Sequence, residues 1–271
     1  MAATPAPDTP VWRRRAPRVE IARFAGWLAL AAFTLYCFKV MTEDTMWVFL
    51  WDAHKQAADL GSRMFPPRWS YIHHLWYSLW ETLNIATLGT LLAIAFGVPV
   101  AFLAARNTTP SRVFVRPVAL FVIVSSRSIN SLIWALLLVA IIGPGALAGI
   151  IAISLRSIGF IAKLLYEAIE EIDATQVEAI SATGARPAQV LAYGIWPQIL
   201  PAFAGISVFR WDINIRESTV LGLVGAGGIG LQLQASLNVL AWPQVTLIFI
   251  IILATVAVSE WVSAKVRHAF I

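Results

Sequence analysis

Four arginines, Arg127, Arg156, Arg210 and Arg216, fall in or beside long apolar runs, in company with Ser126, Ser128, Asn130, Asp212, Asn214 and Glu217. An arginine at mid-depth in a bilayer costs about 2.5–3.5 kcal/mol on insertion scales, so such residues face a bundle interior or a water-filled cavity. Guanidinium and hydroxyl groups together make a surface for anions. The other use is ion pairing: Arg210 with Asp212, and Arg216 with Glu217, can lock helix ends. Arg127 has no acid in its own run, so a partner for it must come from another helix.

The remaining constellations exclude more than they support. His73 and His74 are adjacent and do not share one helical face; with His54 and His268 they join no acid–base or metal-ligand spacing. The sole cysteine, Cys37, makes neither an intrachain disulfide nor a Cys-based metal site. Gly225-Ala226-Gly227-Gly228-Ile229-Gly230 satisfies G-x-G-x-x-G, yet no Asp or Glu stands between Glu217 and Glu260 to meet a ribose. Those glycines fit close helix packing or a broken helix lining a pathway. None of Lys39, Lys55, Lys163 and Lys265 is flanked as a P-loop requires, so the chain itself does not hydrolyse ATP.

One polar segment stands apart. Glu167, Glu170, Glu171, Asp173 and Glu178 lie between two apolar runs, with Leu165, Ile169, Ile172 and Ile180 as an apolar stripe at roughly helical spacing. A helix adsorbed on an anionic leaflet is usually basic. This one is acidic, which points to docking of a protein partner.

The elements that must carry these residues follow from the apolar runs. The 271 residues are 59% hydrophobic and 13% charged, and the apolar residues come in blocks long enough to span a bilayer. The expectation is an all-α polytopic membrane protein of about six transmembrane helices. Residues 1–20 read as a disordered cytoplasmic tail and 21–41 as the first span, retained because no A-x-A site follows Phe38. Residues 42–81, rich in Trp and Tyr, read as an extracytoplasmic and interfacial segment, with Leu75, Leu79 and Leu83 on a helix entering the next span. Further spans are expected over 82–105, 118–142, 146–165, 198–213 and 245–261, with a glycine-rich loop at 222–230. Twelve of the twenty Lys and Arg fall on the side of the N-terminal tail, the 106–116 loop, the 163–196 segment and the C-terminus. That bias places both termini in the cytoplasm and accounts for the net charge of +5 without nucleic acid.

Glu178-Ala179-Ile180, then Gly184, then Pro197 resembles the EAA loop of bacterial ABC-importer permeases; Ile180 stands where the family has a second Ala, and Gly194 and Trp196 where it has Ile and Leu. Asn214 to Gly230, and Ser128-Ile129-Asn130 with Trp134, resemble the phosphonate-permease branch. The resemblance covers about residues 75–271. It implies a type I importer permease core over 82–271 with a cytoplasmic coupling loop at 163–196, in a bacterial inner membrane.

Several roles follow, the coupling and partner roles from the resemblance, the route and loop roles from charge and glycine content within the apolar runs. Glu178, Ala179, Gly184 and Pro197 would couple to a cytoplasmic ATPase. Ser126, Arg127, Ser128, Asn130, Arg210, Asn214, Arg216 and Glu217 would line the route. Gly222, Gly225, Gly227, Gly228 and Gly230 would form a flexible loop. Implied partners are a second copy of the chain, ABC ATPase subunits, an extracytoplasmic substrate-binding protein and membrane lipid. The chain would hold no cofactor, ATP and Mg being on the ATPase. The implied function is ATP-driven import of phosphonates by alternating access. Phosphate, phosphite or an amino acid remains open as substrate, and a membrane-embedded enzyme or passive channel as class.

Overall fold

The computed structural model describes residues 17–43 and 47–270, and among these no strand forms. The described residues fall into two units divided after Asp59. Residues 1–16 of the expected tail lie outside the described residues. Pro17 already opens α1 (Pro17–Thr42), so the first helix is longer than the uncharged run from Phe24 to Phe38. Its aromatic side chains Phe24, Trp27 and Phe33 are exposed, as a helix surrounded by lipid requires. Helix α2 (Val48–Met64) follows.

The second unit holds the remaining elements. Helix α3 (Ile72–Ala104) is one uninterrupted helix of 33 residues. Residues 72–81, expected as an interfacial helix entering the next span, are the first turns of α3, and Leu75 is buried in its packing. Helices α4 (Val115–Ser128) and α5 (Ser131–Ile142) come next, then α6 (Ala146–Glu170) and the short α7 (Ala174–Ala182). One turn, α8 (Pro187–Val190), runs through a wider turn at Leu191–Ile195 into α9 (Trp196–Leu221). Helices α10 (Ile229–Asn238) and α11 (Trp242–Phe270) complete the chain.

Among the described residues five helical stretches are long and apolar enough to cross a membrane, and the α4–α5 pair makes a sixth if taken as one span. The sequence presents residues 118–142 as one span; the structure breaks it, with α4 and α5 meeting at 87°. The cause is local. Ile129 and Asn130 are extended, and the Asn130 side chain accepts the Leu132 backbone N–H, capping α5. An Asn that can satisfy the first orphan donors of a helix starts a new helix readily.

Small residues let the helices close on each other. A Cβ on Gly89 would fall 2.8 Å from Cγ2 of Ile153, one on Gly97 3.2 Å from the Ile158 carbonyl, and one on Gly159 2.6 Å from the Ile123 carbonyl. In a lipid environment packing of this kind, rather than water exclusion, holds helices together. Here it brings α6 against α3 and α4.

The contacts sort the helix ends into two sets. At one end the Arg106 backbone N–H donates to Glu170 at 2.9 Å, Asn107 donates to the Ile169 carbonyl at 2.8 Å, and the Asp173 backbone N–H donates to Gln198 at 3.0 Å. At the other the Gly145 N–H donates to the Gly225 carbonyl at 3.0 Å and the Gly228 N–H to Glu81 at 3.0 Å. The bent pair α4–α5 runs from the first set to the second, so it crosses the unit despite the break.

Candidate transport site and coupling surface

The charged residues late in α9 pair across helical turns rather than with their sequence neighbours. Arg216 pairs with Asp212, four residues back. Arg210 reaches Glu217, seven residues on, with Nη2 at 3.4 Å from Oε1. Residues one or two apart point to different faces of a helix, while those four or seven apart share one. The pairs Arg210–Asp212 and Arg216–Glu217 drawn from sequence are therefore replaced by crossed ones. A third cation arrives from α6: Arg156 pairs with the same Oε1 of Glu217.

Around these ions a polar network ties four helices. Arg210 Nε donates to the Ser157 hydroxyl at 2.9 Å, Ser157 donates to Asn214 Oδ1 at 3.1 Å, and Asn214 Nδ2 donates to Thr90 at 2.8 Å. Asp212 accepts the Ser259 hydroxyl of α11 at 2.7 Å. The Arg210 guanidinium also lies 5.0 Å from the centre of the Phe160 ring, within cation–π range. Arg210, Asp212 and Asn214 are buried, so these bonds answer the desolvation of the groups that make them.

Part of the cluster is open. A cavity of about 330 Å³ is lined by Asn130, Ser131, Arg156, Arg216 and Glu217. The side chains of Arg156 and Arg216 keep 32% and 45% of their surface, against 3% for Arg210, so the first two are the accessible cations. The break in the third span puts the N-terminus of α5 at this cavity, where the positive end of a helix adds to the field of the guanidiniums.

The glycine loop is built for close approach. Gly225, Gly227 and Gly228 have φ of 87°, 83° and 77°, a region where a side chain is strained. Gly228 and Ile229 donate their backbone N–H groups to Glu81 and to Thr82 of α3, and a Cβ on Gly222 would fall 2.5 Å from Cα of Gly230. Gly222, Gly227, Gly228 and Gly230 are buried. The loop named as flexible from its composition is thus pinned between α3 and the start of α6.

At the opposite end α7 presents Thr175, Gln176, Glu178, Ala179 and Ser181 outward. Asp173 caps it by accepting the Thr175 N–H at 2.9 Å. Gly184, with φ 79°, ends the turn after it and has open space around it. The inner face rests on Gly194, where a Cβ would lie 3.4 Å from Ile180 and 3.5 Å from Val177. Most of the segment's acidity is used internally: Glu167 pairs with Lys163, and Glu170 with Arg106 and Arg116. Glu171 and Glu178 are exposed and have no side-chain partner among the described residues.

A family model for the binding-protein-dependent transport system inner membrane component matches residues 97–264. The chain belongs to this family of inner-membrane transport components. Among its relatives, the phosphite transport system permease protein PtxC of Stutzerimonas stutzeri is 41% identical over 213 residues, 79% of this chain and 77% of that protein. The phosphate-import permease protein PhnE of Mycolicibacterium smegmatis is also 41% identical, over 80% of this chain and 41% of that longer protein. Among solved structures, the inward-facing MetNI methionine ABC transporter superposes with a TM-score of 0.65 at 20% identity, over 75% of this chain and 99% of that one. The protein is therefore an ABC-importer permease of the phosphonate-permease branch, a multi-pass transport component and not an enzyme.

Of the residues singled out in the sequence of this permease, the structure brings Asn130, Arg216 and Glu217 to one cavity, with Arg210 and Asn214 buried behind it. Ser126 does not join them. Its hydroxyl donates to the Leu155 carbonyl and accepts the Gly159 N–H at 2.9 Å, clamping α4 to α6. Ser128 is likewise occupied, donating to the Val124 carbonyl at 2.8 Å. Arg127 is exposed at the end of α4, without a partner among the described residues. Glu178, Ala179 and Gly184 are exposed on and just after α7, while Pro197 stands in the first turn of α9 beside Gln198, which binds the Asp173 cap of α7. Arg156 and Ser131 were not assigned to the route from sequence. For Arg156 the signal was present, a charge midway along an apolar span; for Ser131 it required knowing that the helix breaks.

Proposed function

We propose that this permease carries a small phosphorus oxyanion, a phosphonate, phosphite or phosphate, across a bacterial inner membrane as one half of a homodimer. Both termini and the α7 surface face the cytoplasm, where ATPase subunits holding ATP and Mg dock on Glu178, Ala179 and Gly184. An extracytoplasmic binding protein delivers the solute at the opposite end, and ATP-driven closure of the ATPases moves α7 and with it α6 and α9. The observation that carries the substrate class is the cavity with two accessible guanidiniums, Arg156 and Arg216, beside the N-terminus of α5. The names of the relatives point the same way. Arg127, exposed and unpaired among the described residues, belongs where an intramembrane cation is tolerated, facing the water-filled route between the two copies.

Reconstitution of the permease with its ATPase and binding protein in liposomes tests this. Radiolabelled phosphite, phosphate and methylphosphonate are offered with and without ATP inside. ATP-dependent accumulation of at least one is expected. Uptake that ignores ATP, or uptake of an amino acid alone, overturns the reading.

A further inference from the structure

The Glu217 carboxylate is placed as no residue of a purely structural ion pair needs to be. It lines the cavity, yet its Oε1 is shared between Arg156, which also lines the cavity, and Arg210, which is buried behind it at 3.4 Å. Its second oxygen lies 3.5 Å from the same Nη2 of Arg210. Arg210 is held by Ser157 and the Phe160 ring and does not line the cavity. We propose that Glu217 is an internal counter-ion that the transported oxyanion displaces: the anion takes Arg156 and Arg216, and Glu217 is retained by Arg210 alone.

The charges support this. Among the described residues Arg156, Arg210 and Arg216 pair with Asp212 and Glu217, one more cation than anion. Without Glu217 the accessible Arg156 would stand unpaired whenever no solute is bound, which is unfavourable, while Arg216 would keep Asp212. With Glu217 in place the solute exchanges one anion for another, so binding is weak and release is possible. Asp212 does not play this part. It is buried, held by both Ser259 and Arg216, and lies off the cavity wall. Asn130 and Ser131 line the same cavity at the start of α5, together with the apolar Leu132, Ile213, Val220 and Leu221. An amino acid brings an ammonium as well as a carboxylate, which this excess of cations opposes.

This inference rests on the oxyanion reading above, and its test separates the two. Binding of radiolabelled phosphate and phosphite to the assembled permease–ATPase complex, with no binding protein present, is measured by equilibrium dialysis alongside uptake by the full transporter. Glu217→Gln removes the competing charge and keeps the shape. Affinity should rise about tenfold and uptake should fall by a similar factor, because the anion no longer leaves. Glu217→Asp keeps the charge and should stay near the unaltered protein in affinity. If Glu217→Gln does not assemble, Arg216→Gln supplies the test: affinity should fall about fivefold or more, and unchanged affinity overturns the proposal. Unchanged or weaker affinity in an assembled Glu217→Gln complex also overturns it, leaving the oxyanion reading intact. A transporter that moves no oxyanion at all overturns both.

Discussion

Asn214 shows what a single polar side chain does inside an apolar bundle. It accepts from Ser157 on α6 and donates to Thr90 on α3, and the hydroxyl of Ser157 in turn accepts from Arg210. Replacing it with leucine leaves Ser157 and Thr90 without their shared partner. Asn214→Leu should lower stability by about 1–2 kcal/mol, read as a fall in the melting temperature of the purified complex in detergent. An unchanged melting temperature would mean that the network is dispensable. Arg127 is the opposite case, exposed and unpaired among the described residues. Arg127→Ala should leave assembly and melting unchanged and weaken anion uptake about fivefold. If uptake persists at the full rate, Arg127 is not on the route.

The helices were legible where the apolar run was unbroken and illegible where a side chain overrode it. Runs at 82–105 and 146–165 announce α3 and α6, though both extend further because Ile72–Glu81 and Tyr166–Glu170 continue the helix with polar residues mixed in. The polar patch Ser125 to Ser131 interrupts the apolar run around Ile129, but polarity alone does not distinguish a lining patch from a break; the capping bond of Asn130 declares the new helix start. The crossed ion pairs of α9 were readable from helical spacing once the helix was known to run to Leu221 and not to stop near Ile213. Asn130→Ala should cost about 1 kcal/mol of cap energy and let the N-terminus of α5 shift away from the cavity. Uptake should then fall more than melting temperature; equal melting and equal uptake would show the cap to be incidental. At the other end, Gly184→Trp places a bulky residue at a φ of 79° on the exposed turn after α7. ATP hydrolysis by the assembled complex should continue while uptake stops, and normal uptake would contradict docking at this turn.

At the scale of the molecule, charge is sorted by depth. The accessible cations Arg156 and Arg216 sit where α5, α6 and α9 meet, while Glu171 and Glu178, without a side-chain partner among the described residues, are left on the surface around α7. The two regions are joined by continuous helices. Helix α6 carries Arg156 in its middle and ends at Glu170, three residues before the cap of α7, and α9 carries Glu217 near one end and rests α7 on Gly194 just before the other. A displacement of α7 is therefore passed to both sides of the Arg156–Glu217 pair, which is how a distant ATPase can alter the site. That scheme requires α7 to face the ATPase compartment. In a Cys37→Ser background, Glu178→Cys should react with a membrane-impermeant maleimide in inverted vesicles and not in intact cells. It should also crosslink to the ATPase subunit in the assembled transporter. Reaction in intact cells would place α7 outside and reverse the topology drawn from the arginine and lysine distribution. Crosslinks to lipid alone would leave the acidic surface without the partner its charge implies.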